Sequence, residues 1–238
     1  MKPLDGLLPV GRDGVEAVTA LFAQAFHDNP MFAHVLPDER LRRRTLPAMM
    51  RPPVSMAAAN GGLFATSAAL EGAIFVRVTG QRDRLPGLSS ALGALALLLR
   101  PGLWPMVARF VGLGPATTVL QRTMRLLEPA LAVELVAVAE AHRGQGHMGV
   151  LMRAALRRAD ELGLRCVLET ESPRNVQIYE HYGFRLHSAI QAAPGKVTYY
   201  VMTREPGEGE KHDERTDTGS SAAGTTGVPA AGRDAGGL

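Results

Sequence analysis

Residues 131–163 read LAVELVAVAEAHRGQGHMGVLMRAALRRADELG, and their order decides the fold. LAVELVAV (131–138) is an apolar run broken only by Glu134, the pattern of a buried strand. It leads into RGQGHMG (143–149) and then directly into a helix, in which Leu151, Ala155, Ala159 and Leu162 share one face, Arg153, Arg157 and Asp160 the other, before Gly163 closes it. A strand that turns through glycines into a helix gathers unpaired backbone N–H groups and the positive end of a helix dipole at one point, which is an anion site. Gly144, Gly146 and Gly149 let the main chain approach an anion, and Arg143 can add a charge-assisted contact. The alternative is a tight turn that uses glycine for geometry alone. No GK[ST] follows, so a Walker loop is excluded, and GQGHMG is not a GxGxxG opening a series of βαβ units.

Downstream, RCVLET (165–170) reads as the next strand, Ser172-Pro173 as an N-cap and first-turn pair, and Asn175 to Tyr182 as a short helix closed by Gly183. Strands at 184–191 and 196–203 flank the turn Pro194-Gly195. Upstream, Val15, Val18, Leu21, Phe22 and Phe26 fall at helical spacing within 14–27, stopped by Asp28-Asn29-Pro30. A second helical region, 38–59, is punctuated by Pro47 and Pro52-Pro53, and apolar runs at 62–66 and 73–78 read as a hairpin. The leucine-rich segment 79–130, broken at Pro86, Pro101, Pro105 and Pro115, reads as short helices inserted between strands. From Glu205 onward no aromatic residue occurs and little could be buried, so 1–204 is expected to be one domain and 205–238 a disordered tail.

With 238 residues, 46% hydrophobic and 21% charged, the chain can build a substantial core. The single cysteine, Cys166, excludes an internal disulfide and reads as a small core residue; no Cys/His spacing suits zinc, so no metal is expected. Asp5 and Arg12 interrupt the start where a secretory core would lie, which points to the cytoplasm. Ala91 to Leu99, the most apolar run, would span roughly 14 Å as a helix, too short for a bilayer. The chain's net charge of +3 and the tail's −4 leave residues 1–204 at +7, almost all from dispersed arginines. Apart from Arg42-Arg43-Arg44 they form no run, and with 5% aromatic residues nucleic acid is not an expected partner.

The loop resembles motif A of the GCN5-related N-acetyltransferases (GNAT), Q/R-x-x-G-x-G/A, with Arg143, Gly146 and Met148 at its marked places and Met148 where Gly or Ala is usual. AFHDNPMFAHVLPDERLRRR is similar to the first-helix region of bacterial members, and LETESPRNVQIYEHYGF to motif B; the likeness covers roughly 14–203, with 79–130 matching nothing specific. The resemblance implies an α/β fold, a mixed and mostly antiparallel sheet flanked by helices. It implies acetyl-CoA as co-substrate, held by Arg143, Gly144, Gln145, Gly146, His147, Met148 and Gly149 at the diphosphate, by the backbone of Val136, Ala137 and Val138 along the pantetheine arm, and by Asn175. It makes Tyr179 the proton donor to the departing thiolate, with Tyr182 and His181 as substitutes on the same helix. Glu134, the one ionisable side chain of its strand, is the candidate base, although a carboxylate there could equally be satisfied by an arginine of the first helices. His142 and His147 border the loop and are left out of the catalytic set. The implied activity is acetyl transfer to a primary amine, small-molecule or peptide, by direct attack; the alternative is a regulatory protein that binds acyl-CoA without turnover. Trp104, Met106 and Phe110 fit an acceptor wall, a packed core or a homodimer surface equally well.

Overall fold

The computed structural model describes residues 2–80, 104–193 and 195–208. Residues 81–103 of the expected insertion, including Ala91 to Leu99, the turn residue Pro194 and residues 209–238 of the expected tail lie outside the described residues. The elements are β1 (Leu8–Pro9), α1 (Val15–Ala25), α2 (Pro30–Val35), α3 (Glu39–Ala59), β2 (Leu63–Ala65), β3 (Gly72–Val78), α4 (Trp104–Leu126), β4 (Ala130–Val138), α5 (His147–Glu161), β5 (Arg165–Thr170), α6 (Pro173–His181), β6 (Arg185–Ala193) and β7 (Val197–Arg204). Seven strands form one sheet in the order β1-β2-β3-β4-β5-β7-β6; only β4 and β5 run parallel, as the α5 crossover between them requires. The mixed, mostly antiparallel α/β sheet read from the sequence is the observed one.

Alternation along the strands assigns the two faces. Ile74 and Val76 of β3, Cys166 and Leu168 of β5 and Met202 of β7 pack with Leu151, Met152, Ala155 and Ala159 of α5. On the opposite face Ala73 and Phe75 meet Val18 and Phe22 of α1 and Met50 and Val54 of α3. Val167, Val197, Tyr199 and Val201 meet Ala116 and Leu120 of α4 on that side.

Helix α3 runs unbroken through Pro47, Pro52 and Pro53. Each internal proline costs about 3 kcal/mol or more, which is offset by burying Leu46, Met50, Val54 and Ala57 against α1. The expectation of short helices before β4 is corrected over 104–126, which is one helix: Pro105 occupies the first turn, where no N–H is needed, and the helix continues through Pro115 with Leu113, Ala116 and Leu120 buried. The Asp28-Asn29-Pro30 stop is also a start. Asn29 Oδ1 accepts from the N–H of Met31 at 2.9 Å and of Phe32 at 3.4 Å, capping α2, with Pro30 at its first position.

Asp160, read on the solvated face of α5, instead meets Arg204 at the end of β7, with Nη1–Oδ1 at 3.0 Å and Nη2–Oδ2 at 3.1 Å. The Arg204 side chain is 2% exposed. Removing one member of such a pair strands a buried charge, so Asp160→Ala is expected to cost about 3–5 kcal/mol in denaturant unfolding. Asp160→Leu combined with Arg204→Met should recover most of that loss.

Candidate active site

Between β3 and β4 the register slips by one residue: Phe75 faces Leu135 but Val76 faces Val133, so Glu134 is an extra residue, a β-bulge. The bulge changes the phase of β4. Leu131 and Val133 before it, and Val136 and Val138 after it, all point to the α5 face. The parallel pairing with β5 ends at the same level, with Val133 opposite Leu168. Beyond it, β4 still pairs with β3 through Val136, Ala137 and Val138, but its other edge is open among the described residues.

That edge faces a cleft of about 830 Å³. Val136, Ala137, Val138, Arg143, Gly144, Gly146, His147, Met148, Gly149 and Asn175, all nominated from the sequence, line it. Gly144 and Gly146 have φ of +78° and +85°, a backbone that L side chains rarely adopt. Gly146 immediately precedes α5, so the N–H groups of His147, Met148 and Gly149 are the free donors of its first turn. Met148 is half-buried and packs its thioether on the core under α5, so its departure from the motif leaves the backbone donors in place. A β-carbon at Gly149 would lie 2.8 Å from the Arg153 guanidinium, so this glycine makes room for a cation over the first turn. Gln145 turns away and donates to the Ala141 carbonyl at 3.1 Å; it is not among the lining residues. The His142 and His147 rings meet edge to face at 5.8 Å.

Sequence reasoning missed Arg153 and Arg174, which bring the arginines of this cleft to three, and Phe26, Asn29 and Pro30 from the turn between α1 and α2. Three cations, a helix N-terminus and an open strand edge fit the diphosphate, phosphate and amide-bearing arm of a coenzyme A thioester. Among the described residues no group of three or more His, Cys, Asp or Glu side chains could hold a metal ion.

The acid and base candidates stand elsewhere. Asn175 and Ile178 of α6 and Tyr182, its C-cap, line the cleft, whereas Tyr179 turns inward, 7% exposed, with its ring 6.0 Å from that of Phe184. Burial, then Glu171 and Tyr182, push its phenol up to about 12. Asn175 Nδ2 donates to Thr170 Oγ1 at 3.2 Å, tying α6 to the end of β5. Glu134 accepts from Arg77 of β3 through Nε at 3.0 Å and Nη2 at 2.6 Å, so an arginine does satisfy it, but from the neighbouring strand rather than the first helices. Cys166 is fully buried, its thiol pushed up to about 12 by that burial, as befits an inert core residue.

Two further carboxylates, Glu169 and Glu171, close β5. Enclosure at the end of β5, then Glu171 and Glu134, push Glu169 up, although its side chain keeps contact with solvent. Burial also raises Glu171, against a hydrogen bond of 2.8 Å from Asn29 Nδ2. The legible signal was LETE, two carboxylates at alternate positions in line with Glu134 on the parallel strand.

Residues 108–184 match the profile described as the acetyltransferase (GNAT) family, a span that takes in the cleft-forming β4, α5, β5 and α6. It starts within the segment that by sequence resembled nothing specific. Among solved structures the chain is similar to a histone acetyltransferase HPA2 and related acetyltransferase of Corynebacterium glutamicum, at 16% identity over 84% of this chain and 95% of that one, TM-score 0.55. It is similar to the C-terminal condensation domain of Ebony at 13% identity, over 84% and 97%, TM-score 0.56. A polyamine N-acetyltransferase of Drosophila melanogaster matches at 14% identity over 84% and 98%, TM-score 0.50. At these identities the structural likeness is one of fold.

An alanine at Gly146 would have to hold φ near +85°, a strain of about 1–2 kcal/mol. Gly146→Ala is expected to lower stability by that amount in chemical unfolding, while Gly112→Ala, inside α4 with open space at its β-carbon position, should not.

Proposed function

We propose that this chain, which carries a GNAT acetyltransferase domain, is an acetyl-CoA-dependent N-acetyltransferase whose acceptor is a primary amine that attacks the thioester directly. The observation that carries the proposal is the continuous path from the open edge of β4 to the first turn of α5 flanked by Arg143, Arg153 and Arg174. Bound there, acetyl-CoA would supply an acyl carbon activated by a thiolate leaving group. The first-turn amides of α5 and the three arginines would hold its phosphates, and the unpaired groups of 136–138 its amide arm.

Tyr179 keeps its proton at any ordinary pH, and among the described residues its hydroxyl has no hydrogen-bond partner. As the proton donor that the motif implies, it would act from behind the cleft wall formed by Asn175, Ile178 and Tyr182, since its ring turns toward Phe184. Tyr182, at the cleft wall near the Arg153 guanidinium, is better placed to bind than to transfer a proton. The buried, neutral Cys166 gives no support to an acyl-cysteine route. A non-catalytic acyl-CoA-binding protein is the second reading, favoured by one observation: Arg77 already engages the sequence-nominated base Glu134.

Acetyl-CoA at 100 times its dissociation constant should add about 2.7 kcal/mol of stability, read as a thermal shift that is lost in Arg143→Ala combined with Arg153→Ala. Thiol release with an amine panel should accompany it; a shift without release selects the binding protein. Tyr179→Phe should keep the shift and lose at least about tenfold in turnover, and unchanged turnover removes Tyr179 from the reaction.

A further inference from the structure

Three apolar residues near the start of α4 have different surroundings. Met106 is buried with Val35 and Leu36, whereas Trp104 and Phe110 are exposed, and none of the three lines the cleft. Trp104 opens a stripe. With Val111, Val119 and Leu126 it makes a row of side chains between 47% and 84% exposed, on the side of α4 opposite Leu113, Ala116 and Leu120, which are buried. Ala108, Pro115 and Arg122, also exposed, fill the gaps in that row.

The row is symmetric about its middle. Val111 and Val119 lie four residues before and after Pro115, Ala108 and Arg122 seven, Trp104 and Leu126 eleven. Offsets of this kind keep to one helical face. Turned end for end, the row therefore meets itself in register, with valine on valine, tryptophan on leucine, and the long arginine stem over the small alanine. Between residues 104 and 127 there is no Asp or Glu, and the basic residues are Arg109, Arg122 and Arg125. In the reversed register they face Gln121, Ala108 and Pro105, so no like charges meet, and the two helix dipoles run in favourable opposite directions. A parallel pair would set Arg122 on Arg122 and align the dipoles.

We propose that a second copy of this chain packs on this face, α4 against α4, antiparallel about a two-fold axis at Pro115. The contact is isologous: the residue at 111 of each copy meets the residue at 119 of the other. The 23-residue helix offers a seam roughly 35 Å long. One helix pair buries less than the ~1,600 Å² of a standard interface, so the dimer is reversible, with a dissociation constant on the order of 10 μM. None of the seam residues lines the coenzyme cleft, and the proposal does not depend on the acetyl-transfer reading.

The test is sedimentation equilibrium of the full chain from about 1 to about 200 μM, which brackets the affinity expected of a small interface. Trp104 is the chain's single tryptophan, so its emission should move to shorter wavelength over the same range as it leaves water. Val111→Lys sets a charge against Val119 and beside Arg122 of the second copy, and should weaken association at least about tenfold. Adding Val119→Glu sets carboxylate against ammonium across the pair and should restore it. Both positions are exposed, so neither variant should move the denaturant midpoint of unfolding. Under mild oxidation Pro115→Cys should close a disulfide across the axis, while Val111→Cys, whose counterpart is Val119, should not; Cys166 is buried and does not compete. A dimer unweakened by Val111→Lys, or bridged as readily by Val111→Cys as by Pro115→Cys, overturns the proposal. A monomer at every concentration also overturns it: emission already at short wavelength would assign the face to another segment of the same chain, and binding to phosphatidylglycerol vesicles would assign it to a lipid surface.

Discussion

The extra residue in β4 is the constraint on which the rest depends. A strand whose side chains alternate strictly would carry its partner pairing, and its facing pattern, uninterrupted to the end. Inserting Glu134 shifts that alternation once, and beyond it Val136 and Val138 still reach the α5 face while β5 no longer follows. A parallel pair that stops halfway leaves backbone amides with no partner inside the sheet, and such groups must be satisfied from outside. The cleft exists because the sheet fails to close at this point, and the crossover through α5 brings that helix's N-terminus to the same opening.

Charge is sorted along this opening. Arg143, Arg153 and Arg174 collect around the first turn of α5, where the helix dipole already favours anions. Glu134, Glu169 and Glu171 collect beyond the end of the β4–β5 pairing, where burial raises the carboxyls of Glu169 and Glu171. A molecule that is anionic at one end and meets a cationic partner at the other has a preferred orientation between these two fields before any shape is considered.

Much of this was legible in the sequence because it rests on local rules. Glycine followed by an amphipathic helix fixes the anion loop, and the alternation of apolar residues fixes β4 and β5. The boundaries of α4 were not legible, since proline statistics argue for breaks at Pro105 and Pro115, and only burial against β5 and β7 shows why the helix continues. The direction of Tyr179 was hidden for a similar reason. Spacing of four puts it with Asn175 on one helix, but a short helix laid across β5 and β7 presents Asn175, Ile178 and Tyr182 to the cleft and turns Tyr179 toward Phe184. Ion pairs between strands, such as Arg77 with Glu134, depend on register, which no single strand announces.

Asn29 performs two unlike tasks with the two ends of one small amide. Its oxygen terminates the free donors of α2, and its nitrogen reaches 142 residues along the chain to Glu171. Serine could keep the first task but is too short for the second, and aspartate would keep the first while setting a negative charge against Glu171. Glutamine adds a methylene to the one and misaligns the other. Neighbouring positions on this turn can drift among chemically similar residues, but this one has no near substitute, so homologous chains that differ here should also differ at the end of β5.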